Sequence, residues 1–245
     1  MPTTRRVLTL LLTMALVLAL PLSAEAGRRA KPNGGGGAST QTCHLPTSNA
    51  EALEILSTYY PGYWWDHTQL TVAVQAQPGV RPAQLTSVHQ AIDTWDDVLR
   101  DCFDGLITLT DVTGSQPSEQ KAANIVVHYV EKAGGVSFGG YAICGDHGCP
   151  NILVRSDLPK SLGGGIYSPE YLGWVTLHEL GHALGLGHAT NLLESTDLMG
   201  YGWPDLGDPV LSACDIDGIA FVFDWALNGD DPHPPADGPM PCDSH

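Results

Sequence analysis

Eleven residues constrain this chain more than any other stretch: His178-Glu179-Leu180-Gly181-His182-Ala183-Leu184-Gly185-Leu186-Gly187-His188. Two histidines four apart on a helix project from one face, so both imidazoles can reach one ion, at a Zn–N distance of about 2.0–2.1 Å. The chain must therefore be helical through His182 and must stop soon after it. Gly185 stands where the stop is needed, and a turn there calls for a positive φ. His188 can then return as a third nitrogen ligand. Three protein ligands leave a fourth position open, which is the pattern of a catalytic rather than a closed structural zinc. Glu179, next to His178, is placed to take a proton from water at such a metal. With this chain's own residue frequencies, the five fixed positions are expected by chance about 10⁻⁴ times. The plainer reading is three satisfied surface histidines at a helix end. It is disfavoured because the helix start, the glycine stop and an N-terminal secretory signal all agree with the metal reading.

The flanking sequence supports that helix. Ser168-Pro169-Glu170 is a helix start, with an N-cap serine, proline at the first helical position and an acid in the first turn. The helix is predicted to run to about Leu184. Upstream, Arg81 to Arg100 carries Leu85, Val88, Ile92, Trp95 and Leu99 at helical spacing, the apolar stripe of an amphipathic helix. His89, Asp93, Asp96 and Asp97 fall off that stripe and read as a solvated face. Strands are predicted at Leu70–Gln75, Leu106–Val112, Asn124–Val130 and Asn151–Arg155. A short helix is expected within Asn49–Tyr60 and another over Leu211–Leu227. Gly134–Gly140 and Gly163–Gly165 read as loops. The element order predicts an α+β domain.

Charge and cysteine content bound what surrounds the domain. The formal net charge of −16 argues against a nucleic-acid or anionic-membrane partner, since both need clustered Lys and Arg. Arg5 and Arg6, the uncharged run Val7–Leu20 and the small-x-small Ala24-Glu25-Ala26 read as a secretory signal peptide cut before Gly27. That run is too short for a membrane span, which needs about 20 apolar residues. Six cysteines (Cys43, Cys102, Cys144, Cys149, Cys214, Cys242) in a secreted chain imply disulfides, with the pairing left open. Cys144 and Cys149 could staple one loop, or join His147 at a metal. The expected layout is a signal peptide over 1–26 and a flexible N-terminal segment over 27–65, a candidate short propeptide. A catalytic domain over 66–229 and a Pro/Asp-rich tail over 230–245 follow. The aromatic run Tyr59, Tyr60, Tyr63, Trp64, Trp65 reads either as rings pinned to the body or as an exposed glycan platform.

From His178 to about Phe223 the sequence resembles the metzincin zinc endopeptidases, most closely the matrixin branch. The resemblance rests on H-E-x-x-H-x-x-G-x-x-H, on Met199 in Asp197-Leu198-Met199-Gly200, and on Leu211-Ser212-Ala213-Cys214-Asp215-Ile216-Asp217-Gly218-Ile219. It implies a metzincin-like zincin: a mixed twisted sheet, an active-site helix, a Met-turn and a C-terminal helix. It implies a secreted zinc endopeptidase acting by zinc-activated water, with His178, His182 and His188 as metal ligands and Glu179 as general base. Departures are visible. Ala189 stands where matrixins have Ser or Thr, and Gly200-Tyr201 replaces Tyr-Pro. The Met-x-Tyr order is closer to astacins and serralysins, which makes Tyr201 a candidate oxyanion stabiliser. The cysteine-switch motif is not matched around Cys43, which reads as a disulfide partner or, less favourably, a zinc-capping switch.

The resemblance also implies an extended substrate lying along an edge strand, for which Asn151–Arg155 is the candidate, and a side-chain pocket lined by Gly200–Leu206. From Ser161 to His245 there are 13 acids and no Lys or Arg. Calcium is a possible second cofactor, with Asp205, Asp208, Asp230 and Asp231 as candidates, although no calcium-loop spacing is present. The expected partners are protein or peptide substrates, and the chain is expected to be monomeric. The competing reading is a non-catalytic secreted zinc-binding, carbohydrate or adhesion module on the same fold.

Overall fold

The computed structural model describes residues 43–59, 63–130, 139–144, 150–156, 168–201, 207–236 and 238–242. The expected signal peptide, the glycine-rich stretch after it and the Gly163–Gly165 loop lie outside these residues.

Five strands form the main sheet: β2 (Gln69–Ala76), β3 (Thr108–Asp111), β4 (Ile125–Val130), β5 (Gly140–Ile143) and β6 (Asn151–Arg155). Their order is β3-β2-β4-β6-β5. The first four run parallel, and β5 closes one edge antiparallel to β6. Alternate residues go into the core: Leu70, Val72 and Val74 of β2, Ile125, Val127 and Tyr129 of β4, Ile152 and Val154 of β6. That period-two burial is what a half-covered strand requires. The covering helices are α2 (Pro82–Cys102) and α4 (Pro169–Ala183). A short helix, α3 (Pro117–Lys121), lies between β3 and β4.

The stripe on α2 is buried at Val88, Ile92, Trp95 and Leu99, while Leu85 is half-buried. Its start is fixed by a capping box in which the Gln84 side chain accepts from the Arg81 amide. The same side chain donates to the Ser156 carbonyl at the end of β6. The indole of Trp95 donates to Leu177 O at 2.8 Å, joining α2 to α4. The face expected to be solvated is so at Asp93 and Asp97. Two of its members do more: His89 pairs with Asp111, and Asp96 accepts the Leu109 amide. Both tie α2 to β3, because the sheet edge comes close enough to use them.

A second, three-stranded sheet was not expected. It consists of β1 (Ala52–Ile55), β7 (Leu186–Ala189) and β8 (Met240–Pro241), with β1 central and antiparallel to both neighbours. The short helix expected over Asn49–Tyr60 is thus only α1 (Leu56–Tyr59); the residues before it are strand. Leu53 and Ile55 point into the core, and Ala52 and Glu54 do not. The described part of the N-terminal segment is therefore built into the body. Cys43 is disulfide-bonded to Cys102 at the end of α2. Tyr63 and Trp65 are buried, as the pinned-ring reading requires. The tail returns likewise: Cys214 is bonded to Cys242, beside β8. Cys144 is disulfide-bonded too, and Cys149 and His147 lie outside the described residues.

The last helical pattern is broken at buried Phe223 into α5 (Ala213–Val222) and α6 (Asp224–Asn228). Ser212 caps α5 by accepting the Cys214 and Asp215 amides. Among the described residues no helix is long and apolar enough to cross a membrane.

The end of α4 is the junction between the two sheets. Gly185 adopts φ 112°, and a Cβ there would lie 2.8 Å from Val222 Cγ1. Gly185→Ala would add backbone strain to a core clash, each costing about 1–3 kcal/mol. Its unfolding midpoint in denaturant is expected to fall clearly below that of wild type.

Candidate metal centre

The second half of α4 is buried on all sides, including His178, Glu179 and His182. His178 and His182 lie one turn apart, with ring centroids 4.6 Å from each other. The positive φ at Gly185 sends the chain back as β7, which brings the His188 ring within 4.7 Å of His182 and 5.5 Å of His178. One ligand nitrogen from each of the three lies within 4.8 Å of the others. They are the one group of three or more metal-capable side chains among the described residues.

Hydrogen bonds fix which nitrogen each ring offers. His178 Nδ1 contacts Leu198 O at 2.7 Å, and His182 Nδ1 contacts Leu186 O at 2.7 Å. A carbonyl can only accept, so Nδ1 carries the proton and Nε2 keeps its lone pair. Burial, then the neighbouring His182, holds His178 well below the usual histidine range. Burial and the adjacent His188 pull His182 down to about 3. Burial lowers His188 as well. These rings are neutral at neutral pH, as ligation requires. Among the described residues, His188 Nε2 and Glu179 Oε2 are buried without a hydrogen-bond partner. Orphaned polar atoms beside neutral imidazoles are what a divalent, borderline-soft ion such as zinc would satisfy.

Glu179 is only 6% exposed. Burial pushes its carboxyl up to about 8, opposed by a hydrogen bond from the Ala142 amide on β5. Gly140 of β5 packs directly on it. A Cβ at Gly140 would meet Glu179 Cγ at 2.8 Å and Oε1 at 2.9 Å. Neither Gly140 nor Ala142 was expected here, because a glycine-rich run reads as loop in sequence.

Met199 is fully buried, and a Cβ on Gly181, which lies between the first two histidines in α4, would lie 2.5 Å from its sulfur. Tyr201 is 46% exposed, its ring 4.7 Å from His188 and 5.5 Å from His178. Partial burial, then the charge of Glu179, pushes its phenol up to about 12. The aromatic run also contributes here. The single hydroxyl proton of Tyr63 is shared between the carbonyls of His182 (2.7 Å) and Ala183 (2.8 Å), and Trp65 Nε1 donates to Ala183 O (2.8 Å). They cap the end of α4, so neither ring forms an exposed platform.

Two expectations are corrected. Asn151–Arg155 is not an edge strand: β6 pairs with β4 on one side and β5 on the other, so the edge beside Glu179 is β5. Its full ladder leaves no backbone groups for a peptide. Cys43 is held in a disulfide, which removes the zinc-capping reading. Of the proposed pocket wall, only Gly200 and Tyr201 are described. Of the calcium candidates, Asp208, Asp230 and Asp231 are exposed, and Asp205 is not described.

No family model matches the chain. Among curated proteins it is similar to the interstitial collagenase of Oryctolagus cuniculus, 27% identical over 201 residues, covering 74% of this chain and 37% of the collagenase. The chain thus spans little more than a third of the length of the relative it matches. A solved structure described as a chaperone-substrate complex aligns over 69% of this chain and 36% of its own. Its TM-score is 0.40 and its identity 14%, too low to bear on the fold. The collagenase match and the three-histidine group support a metzincin- or matrixin-like relationship.

The depressed histidines have a measurable sign. His182 protonates at about 3 in the folded chain and near 6.5 when unfolded, so the unfolded state binds the extra proton between those values. Its contribution to stability is present above 6.5 and is lost as pH falls towards 3. In metal-free protein, His182→Gln is expected to flatten the fall in Tm between pH 6.5 and 4.

Proposed function

We propose that the chain is a secreted zinc-dependent endopeptidase. The observation that carries this reading is the neutral three-imidazole group with buried, half-satisfied Glu179 beside it. His178, His182 and His188 would hold the metal. When bound, a zinc ion supplies a Lewis acid that polarises a carbonyl and lowers the pKa of water towards about 7.

The remaining work falls to the chain's own groups. Glu179 accepts a proton from the attacking water and returns it to the leaving amine. The Ala142 amide and the close approach of Gly140 hold its carboxylate in place. Tyr201 keeps its phenolic proton at neutral pH and can donate a hydrogen bond to the developing oxyanion. The outer edge of β5 offers backbone groups with which an extended peptide can pair. The similarity to a collagenase supports peptide bonds as the substrate class. The buried Tyr63 and Trp65 weigh against the glycan-binding alternative.

Glu179→Ala is expected to retain zinc and to lose about 10²–10⁴-fold in kcat on a peptide library. Wild-type turnover by that variant, or wild-type protein that takes up no zinc, would overturn the assignment. Gly140→Ala should displace Glu179 and cost about 10²-fold in kcat with KM little changed.

A further inference from the structure

The segment that precedes the main sheet is bonded to the loop between His188 and Met199 at several points. Its contacts there are side-chain specific. Ser48 Oγ donates to Asp197 Oδ2 at 2.6 Å. Asn49 accepts the Thr196 amide (2.7 Å) and hydroxyl (3.0 Å) and donates to Glu194 O (2.8 Å). Asn191 answers by donating to Asn49 O at 2.8 Å. β1 then pairs with β7, and the Thr190 amide donates to Ala52 O.

Asp197 is fully buried and is the hub of this contact. Its Oδ2 also accepts from Ser212 Oγ at 2.6 Å, and its Oδ1 accepts the Met199 amide at 2.9 Å. The residue between, Leu198, is the one whose carbonyl accepts the hydrogen bond from His178 Nδ1–H. A short path therefore runs from Ser48 through Asp197 to the turn that orients a candidate ligand. A buried carboxylate that loses a donor must shift or recruit another, and this one cannot move without moving Met199 and Leu198.

We infer that Ser48 and Asn49 are positioning residues of the metal centre, acting through Asp197 and the 191–196 loop on the turn that holds His178. The inference rests on the metal-centre reading above and is independent of which bond is cut. Residues several contacts from a site, linked to it through a bonded network, typically change its energetics by about 2–30-fold.

The test measures zinc release from purified full-length protein into excess chelator, at a temperature below the Tm of every variant. Ser48→Ala is expected to release zinc about threefold or more faster than wild type. Ser48→Thr, which keeps the hydroxyl, should stay near wild type. Asn49 is exposed, so Asn49→Ala should fold even if Ser48→Ala does not, and it should also release zinc faster. Cobalt-substituted protein supplies a second readout, because its visible absorption reports ligand geometry and should change in Ser48→Ala. Wild-type release rates and spectra in folded Ser48→Ala and Asn49→Ala, with only the Tm lowered, would overturn the proposal and leave a purely structural strap. The release arm decides this whether or not a peptide is cleaved. A zinc-loaded wild type that cuts no peptide would count against the peptidase reading alone.

Discussion

A buried imidazole can keep a lone pair for a metal only if its other nitrogen has somewhere to send its proton. Here the acceptors are two backbone carbonyls, Leu198 O and Leu186 O, and neither belongs to α4. Leu186 is in place because the helix ends abruptly at Gly185, and Leu198 because a buried turn passes underneath. The small sheet, the Met199 turn and the capping aromatics all serve to hold those two oxygens. Leu198 is pinned at its amide by Val210 O, and the next amide is taken by Asp197. The path of the main chain around α4 thus determines the chemical state of the histidines.

The same region concentrates buried acid. Asp215 is held well above the usual carboxylate range by burial and by the charge of Asp197. Ser212 serves both groups, donating its hydroxyl to Asp197 and its amide to Asp215. Two buried acids side by side are tolerable only with such donors, since an unsolvated charge is otherwise expensive. The arrangement joins the start of α5 to the turn beneath the histidines.

Much of this was legible in the sequence wherever a pattern is long or chemically specific. The α2 stripe spans about four turns and fixes its own face. The start of α4 is written in Ser168 and Pro169, and its end in Gly185. The three histidines are brought together as their spacing requires, and Tyr201 lies beside them. What was not legible is short or relational. A four-residue strand such as β1 contains two inward residues, too few to establish a period. β5 begins in glycine because Glu179 lies against it, a reason that exists only in three dimensions. Asp197 and Ser48 carry no motif at all. Their meaning comes from a contact between residues 149 apart in sequence.

That separation also sets an order of events. The central strand of the small sheet is made before both of its partners, β7 and β8, which follow it by well over a hundred residues. Contacts between such distant segments cannot form until the later one exists, and closing such loops is slow. A nascent chain that has just completed α4 holds two of the histidines but neither the turn that orients the first nor the strand that carries the third. The centre is therefore assembled after most of the sheet. While the polypeptide is still being made, the timing of its own topology withholds a finished metal site.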